Sequence, residues 1–449
     1  MIDKKRIIFF LIFILINNCS FDNKTGIWGD AKKEKKRISE LEKQQKKIIE
    51  IEKVYSSENI HKKEKLLTKK ITLSKPKTNS SWIMSGLNHQ NLLGNIYLSG
   101  VDNIFLKKKI GKDKFEINRF KATLLAHGKN LIFSDDKGTI FNINEFGKIN
   151  WKKNIYKKVY KRIYKNLVIS IYKNNIYVAD NIGFVYSFNL DNGNLVWIKN
   201  YGVPIKSNIK IFNDQIFLID QDNKIFSLNA KDGSLVWDIL SISSFIKSQN
   251  LLSLAISING DLFAITSAAD IYKIQAESGK VIWSRNAAGS LYANATDFFN
   301  SSEIVLSGDK IIFSTGTSLY SYNENNGNIN WQIKVTSVDA PIIDGENIFI
   351  VTNNGYLVIL NKDTGEIISS SYILKILKKK KQNTTVTDFI MGSDKIYSIT
   401  LNGYMIVSSA LSGKVESFKK IGGSNISPAI INNGNLYILI EGSKIIGFN

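Results

Sequence analysis

The chain has 449 residues, 43% hydrophobic and 11% aromatic, with a formal charge of +21 at pH 7 and a pI of about 9.6. That apolar content excludes wholesale disorder and allows two or three ordinary domains or one large all-β domain. Lys, Asn and Ile recur along the whole length, as a genome biased toward A and T would encode, so the charge reads as compositional and not as the mark of a nucleic-acid binder.

Residues 1–18 read as a signal peptide. Lys4, Lys5 and Arg6 precede an apolar run from Ile7 to Ile16 that is too short to cross a bilayer as a helix. Cys19, the one cysteine, follows directly. Its placement resembles the acylated cysteine of bacterial lipoproteins, although Ile16, Asn17 and Asn18 stand where the usual signal has Leu and two small residues. The resemblance implies lipid anchoring, and Ser20 after the cysteine implies the periplasmic face of the outer membrane. A secreted protein with a spare thiol is the alternative.

Residues 19–80 form a second compositional zone. Between 20 and 80 there are 17 Lys+Arg against 9 Asp+Glu, a net of +8. Ile38, Leu41, Ile48, Ile49 and Ile51 make a thin apolar stripe, which predicts a frayed helix over roughly 30–54 inside a flexible basic tether. Such a segment is a solvated spacer or leans on anionic head groups.

From residue 81 to 449 a repeat takes over. Pairs of short apolar strands joined by polar turns recur at 130–144, 175–189, 215–229, 261–275, 310–323, 347–361, 395–409 and 435–449. The first seven hairpins lead into a turn glycine: Gly147, Gly193, Gly233, Gly279, Gly327, Gly365 and Gly413, spaced 46, 40, 46, 48, 38 and 48 residues apart. A third strand follows each glycine, and a fourth fits before the next hairpin. Four strands in about 40 to 50 residues predict a propeller blade.

Trp151, Trp197, Trp237, Trp283 and Trp331 each lie four residues after their glycine. A large ring at that repeated place is expected to cover the seam between blades and to give its N–H to a backbone carbonyl. Ser369 and Ser417 replace it in units six and seven, where looser seams are expected. The eighth hairpin ends at Asn449 without an outer strand, and "DNIFLKKKIG" (102–111) is a strand without a partner. Placing it on the last blade predicts an all-β, eight-bladed propeller closed by an N-terminal strand, with no exposed edge.

The D-x-G-x-x-x-W phrase and this architecture resemble, over 90–449, the propellers named after pyrroloquinoline quinone. Their enzyme branch holds quinone and calcium with Glu, Asn and Asp, and no coherent acidic set of that kind is visible here. His61, His89 and His127 are too scattered for zinc, and no Ser-His-Asp arrangement or phosphate-cradling loop appears. Acylated cysteine, tether and eight blades together resemble the cofactor-free branch, the BamB-type lipoproteins of the outer-membrane β-barrel assembly (BAM) machinery. That resemblance implies a non-catalytic scaffold, monomeric within a hetero-complex, without metal, cofactor or nucleic acid, binding the periplasmic domains of BamA and other BAM subunits.

The family places its BamA-facing loops ahead of two successive middle blades. Here those loops are 241–250, with Phe245, Ile246 and Lys247, and 287–299, with Asp297, and these four residues are the candidate partner contacts. Ordinary loop packing is the competing reading. The run "LKKKKQN" (377–383) is read as a solvated loop, with contact to anionic lipid or to a partner's acidic patch as the alternative. A periplasmic quinoprotein dehydrogenase and a ligand- or polymer-binding propeller lipoprotein remain the alternatives.

Overall fold

The computed structural model describes residues 63–112, 123–241, 252–287, 301–378, 383–423, 427–440 and 443–449. Cys19, His61, Phe245, Ile246, Lys247, Asp297 and Lys379 to Lys381 lie outside the described residues. Eight antiparallel sheets follow one another along the chain, and in the first seven the strands pair in sequence order. The protein is an eight-bladed propeller, as the repeat predicts.

Blade 2 shows why the sequence folds this way. Its strands are Leu167–Tyr172, Asn175–Asp180, Phe184–Asn189 and Leu195–Asn200, from the axis outward. The inner three are almost wholly buried because each is covered by a blade on both faces, so they read as apolar runs. The outermost strand has one covered position, Trp197, and its other residues are exposed. A register shift just before that position, between Leu195 and Trp197, inserts an extra residue and so turns the ring toward the neighbouring blade. The outer strands of blades 1 to 7 all have this shift.

Ring closure follows the sequence expectation. Ile104–Lys109 pairs with Lys444–Phe448 as the outermost strand of blade 8. It has the same register shift, between Ile104 and Leu106, which makes Leu106 the counterpart of the repeated Trp.

Two features were not foreseen. Ser81–Trp82 adds a fifth strand to blade 1, inside Leu125–His127. Residues 63–80, assigned above to the tether, are hydrogen-bonded to the disc. Lys65 bridges Ser370, and the Thr68 N–H donates to Ile368 O at 3.1 Å, so the part from Lys65 to Thr68 covers the outer edge of blade 6.

Candidate functional site

The seams between blades are built from the repeated Gly and Trp. Gly193 turns the chain at φ 67°, and the Trp151 ring of blade 1 lies against it: a Cβ at Gly193 would stand 2.7 Å from ring carbons. The indole N–H reaches the first carbonyl of the same turn. Trp151 Nε1 donates to Leu190 O at 2.9 Å, Trp197 to Ala230 at 3.0 Å, Trp237 to Ala276 at 2.9 Å, Trp283 to Glu324 at 3.2 Å and Trp331 to Lys362 at 3.0 Å.

Gly147, Gly233, Gly279, Gly327, Gly365 and Gly413 also have positive φ. Gly233, Gly279, Gly327 and Gly365 face Trp197, Trp237, Trp283 and Trp331, while Gly147 faces Leu106 and Lys108 of the closing strand. At Gly413 the hydroxyls of Ser371 and Ser369 stand at 3.1 and 3.4 Å from a built Cβ, with no indole present. On the next seam, Lys419 reaches the start of the closing strand, donating to Val101 O and Asp102 O at 2.9 and 2.6 Å.

A second repeat escaped the sequence reading. Twelve or thirteen residues before each turn glycine stands Asp135, Asp180, Asp220, Thr266, Thr315, Thr352 or Thr400. Each side chain accepts main-chain N–H groups of the turn between strands two and three; Asp180 Oδ1 takes those of Ile182, Gly183 and Phe184, all at 2.8 Å. Burial raises the carboxyl pKa of Asp135, Asp180 and Asp220, opposed by these same hydrogen bonds.

The axis at one face is occupied by the chain itself. Residues 74–99 form a strap that bonds to the innermost strand of all eight blades, or to the turn just after it. Ser74 N donates to Asp344 Oδ2 of blade 6 at 2.7 Å, and Asn79 Nδ2 to Ile431 O of blade 8 at 2.9 Å. Ser81 and Trp82 pair with blade 1, and Ile171 of blade 2 donates to Ile83 O at 2.7 Å. Ile256 of blade 4 donates to His89 O at 2.8 Å, Leu306 of blade 5 to Gln90 O at 2.9 Å, and Ser393 of blade 7 to Ile96 O at 2.9 Å. Ser99 then returns to Gly434 O of blade 8 at 2.9 Å.

Asn91 ties three consecutive blades together. Its Nδ2 donates to Leu254 O at 3.0 Å and Ile304 O at 2.7 Å, and its Oδ1 accepts from Lys210 Nζ at 2.5 Å. Lys210, fully buried on blade 3, gives its remaining protons to Ser85 O at 2.8 Å and Asn88 O at 2.9 Å. Burial pulls its pKa down to about 8, with Glu303 acting in the opposite direction. Burial raises the Glu303 carboxyl, opposed by Lys210 and by hydrogen bonds from Ser85 and Asn208. The strap is thus held by a polar cluster in which the ammonium has a full set of acceptors.

His89 belongs to this strap: Nε2 lies 2.7 Å from Ile211 O, and the ring meets Phe212 edge-on at 5.8 Å. His127 is exposed at the end of blade 1's inner strand. Among the described residues no three His, Cys, Asp or Glu converge as metal ligands. The described residues therefore assemble no donor set for a quinone and calcium site, and an axial group on this face would have to displace the strap. Among the described residues no helix is long and apolar enough to cross a membrane. Leu377, at the start of the lysine run, is buried after the 3-10 turn Ile373–Ile376.

A family model described as outer membrane protein assembly factor BamB matches residues 136–371, just over half of the chain. No curated protein matches the sequence. Among solved structures, the chain is similar to BamB from Moraxella catarrhalis, with TM-score 0.60 and 11% identity over 76% of this chain and 99% of that one. It is similar to a europium-containing methanol dehydrogenase at TM-score 0.61 and 10% identity, over 81% and 89%. The quinohemoprotein alcohol dehydrogenase from Comamonas testosteroni gives 0.60 and 9%, over 82% and 80%. At these identities the likenesses speak for the fold alone.

Proposed function

Because the chain belongs to the family of the outer membrane protein assembly factor BamB, we propose that it is a non-catalytic scaffold subunit of the outer-membrane β-barrel assembly complex that binds the periplasmic domains of BamA. The observation that carries this reading is the strap. The face of the ring that it closes is spent on hydrogen bonds to all eight blades, with Asn91 and Lys210 joining blades 3, 4 and 5, and among the described residues it offers no converging ligand set. A ring so closed is a rigid disc whose free variation lies in its connections, a suitable design for holding a partner. We further propose that Cys19 is acylated and holds the disc at the periplasmic face of the outer membrane.

Co-purification from native membranes and direct binding to the BamA periplasmic domains test the reading. Binding is expected, and its absence would sink the proposal. The dehydrogenase reading, which the fold likeness to the two quinoproteins favours, is tested separately by dye reduction with quinone and calcium added. No reduction is expected. Cys19→Ala should release the protein from outer membranes, and unchanged membrane partitioning would defeat the anchor.

A further inference from the structure

The basic charge is not spread evenly, contrary to the compositional reading. Residues 101–166 hold 17 Lys+Arg against 6 Asp+Glu, a net of +11, whereas residues 167–449 hold 23 of each. The propeller's excess charge therefore belongs to the closing strand, blade 1 and the connection to blade 2.

The fold gathers six of these cations, Lys112, Lys137, Lys152, Lys153, Lys157 and Lys158, on one stretch of rim. At the seam of blades 8 and 1 a cleft of about 340 Å³ is lined by Lys112, Lys137, Lys152 and Lys153. Among the described residues none of the four has a carboxylate within ion-pairing distance. The carboxylate in the lining, Asp135, is buried and accepts main-chain N–H groups from Lys137 and Thr139 at 3.1 and 2.8 Å. Beside the cleft runs the 3-10 turn Lys158–Arg162. It is pinned from beneath: Tyr156 Oη donates to Asp180 at 2.5 Å, and the Tyr160 ring meets Phe184 edge-on at 5.6 Å. Pinning leaves Lys157 and Lys158 facing solvent, with Val159 74% exposed between basic neighbours.

We propose that this rim is a docking surface for an anionic membrane, with the lysines taking lipid phosphates and Val159 entering the head-group layer. Charge complementarity makes the argument: cations in excess, unpaired by carboxylates among the described residues and interleaved with a protruding aliphatic side chain, suit a lipid interface better than a compact anion site. The inference does not depend on BamA binding.

The test uses the full chain with Cys19→Ala, so that no acyl group contributes. Its sedimentation is measured with phosphatidylcholine vesicles alone and with vesicles containing phosphatidylglycerol. Salt-sensitive binding to the anionic vesicles only is expected. Reversing Lys152, Lys153, Lys157 and Lys158 to Glu should weaken it at least tenfold at unchanged melting temperature. Neutralising Lys32, Lys33, Lys35 and Lys36 in the tether should leave most of it, and Val159→Trp should show blue-shifted emission on those vesicles. Full binding by the four-fold reversal, with loss on tether neutralisation, overturns the proposal. So does lysine-dependent binding of a polyglutamate peptide without vesicle binding, which would make the rim a site for an acidic protein.

Discussion

Trp151 and Gly193 stand on opposite sides of a blade seam, yet they make one unit: the ring fills the space that a Cβ at Gly193 would enter at 2.7 Å. Gly193→Ala therefore adds two costs, a side chain at φ 67° and a clash with a buried ring, together about 2 to 4 kcal/mol. Gly128→Ala, at φ 58° with nothing within 4 Å, adds the backbone cost alone. Thermal melts should rank wild type, Gly128→Ala, Gly193→Ala from high to low. Equal melting of the two variants would mean that the seam contact contributes nothing. Trp151→Phe, which keeps a ring but loses the bond to Leu190 O, should cost about 1 kcal/mol.

The second prediction concerns the chain before the blades. Removing 81–112 takes away most of the strap and the strand Ile104–Lys109, leaving Lys444–Phe448 as an open edge, so the product should aggregate. Deleting 21–60 should leave the melting temperature unchanged. Extending that deletion to 75 also removes the bonds of Lys65 and Thr68 to blade 6 and of Ser74 to Asp344, and should lower it. Size-exclusion chromatography and calorimetry separate the three. Identical melting after the two shorter deletions would show that the edge cover is dispensable.

The third prediction is a pH dependence. The Lys210 pKa is lowered in the folded state, to about 8, so below that pH the fold bears the cost of a desolvated ammonium. The cost is relieved as pH rises from the folded value toward the unfolded value of about 10.5. Lys210→Met removes this titration but leaves Glu303 without its counter-charge and three acceptors without a donor, a loss of about 3 to 5 kcal/mol. The stability gap between wild type and variant should widen from pH 8 to pH 10. A gap that stays constant over that range refutes the titration, and Glu303→Gln in the variant should recover part of the loss.

What could be read beforehand, and what could not, follows from periodicity. Gly193 and Trp197 recur because every blade needs the same turn and the same seam, so the blade count and the closing strand were legible from spacing. The strap serves one axis once and has no period. Its trace is negative: between Lys77 and Asp102 there is no Asp, Glu, Lys or Arg, in a chain otherwise dense in lysine. A stretch packed against eight inner strands must shed charge, since a buried ion needs a partner, and here Lys210 uses the strap's own carbonyls and Asn91 as acceptors. The turn residues Asp180 and Thr266 were periodic too, but two residue types with one role hide the repeat from a search by identity.

The last prediction tests the scaffold through its loops. The outer strands Leu235–Leu240 and Val281–Asn286 end, and the inner strands Ser253–Ile256 and Val305–Ser307 begin, away from the strap, because the inner strands run toward the strap and the outer strands away from it. A partner held there would leave the Asn91 and Lys210 cluster undisturbed. Replacing Phe245 and Ile246 by Ser, and reversing Lys247 and Asp297, should then change stability by no more than about 0.5 kcal/mol, as is usual for substitutions away from packed features. Affinity for the BamA periplasmic domains should fall at least tenfold, which takes only about 1.4 kcal/mol of contact energy. A large drop in melting temperature would place these side chains in the blade core. Unchanged stability with unchanged binding would move the partner surface to another part of the disc. And if the unaltered protein fails to bind BamA, no loop substitution can rescue the scaffold reading, and a propeller that binds a ligand or polymer becomes the better account of a closed, rigid ring.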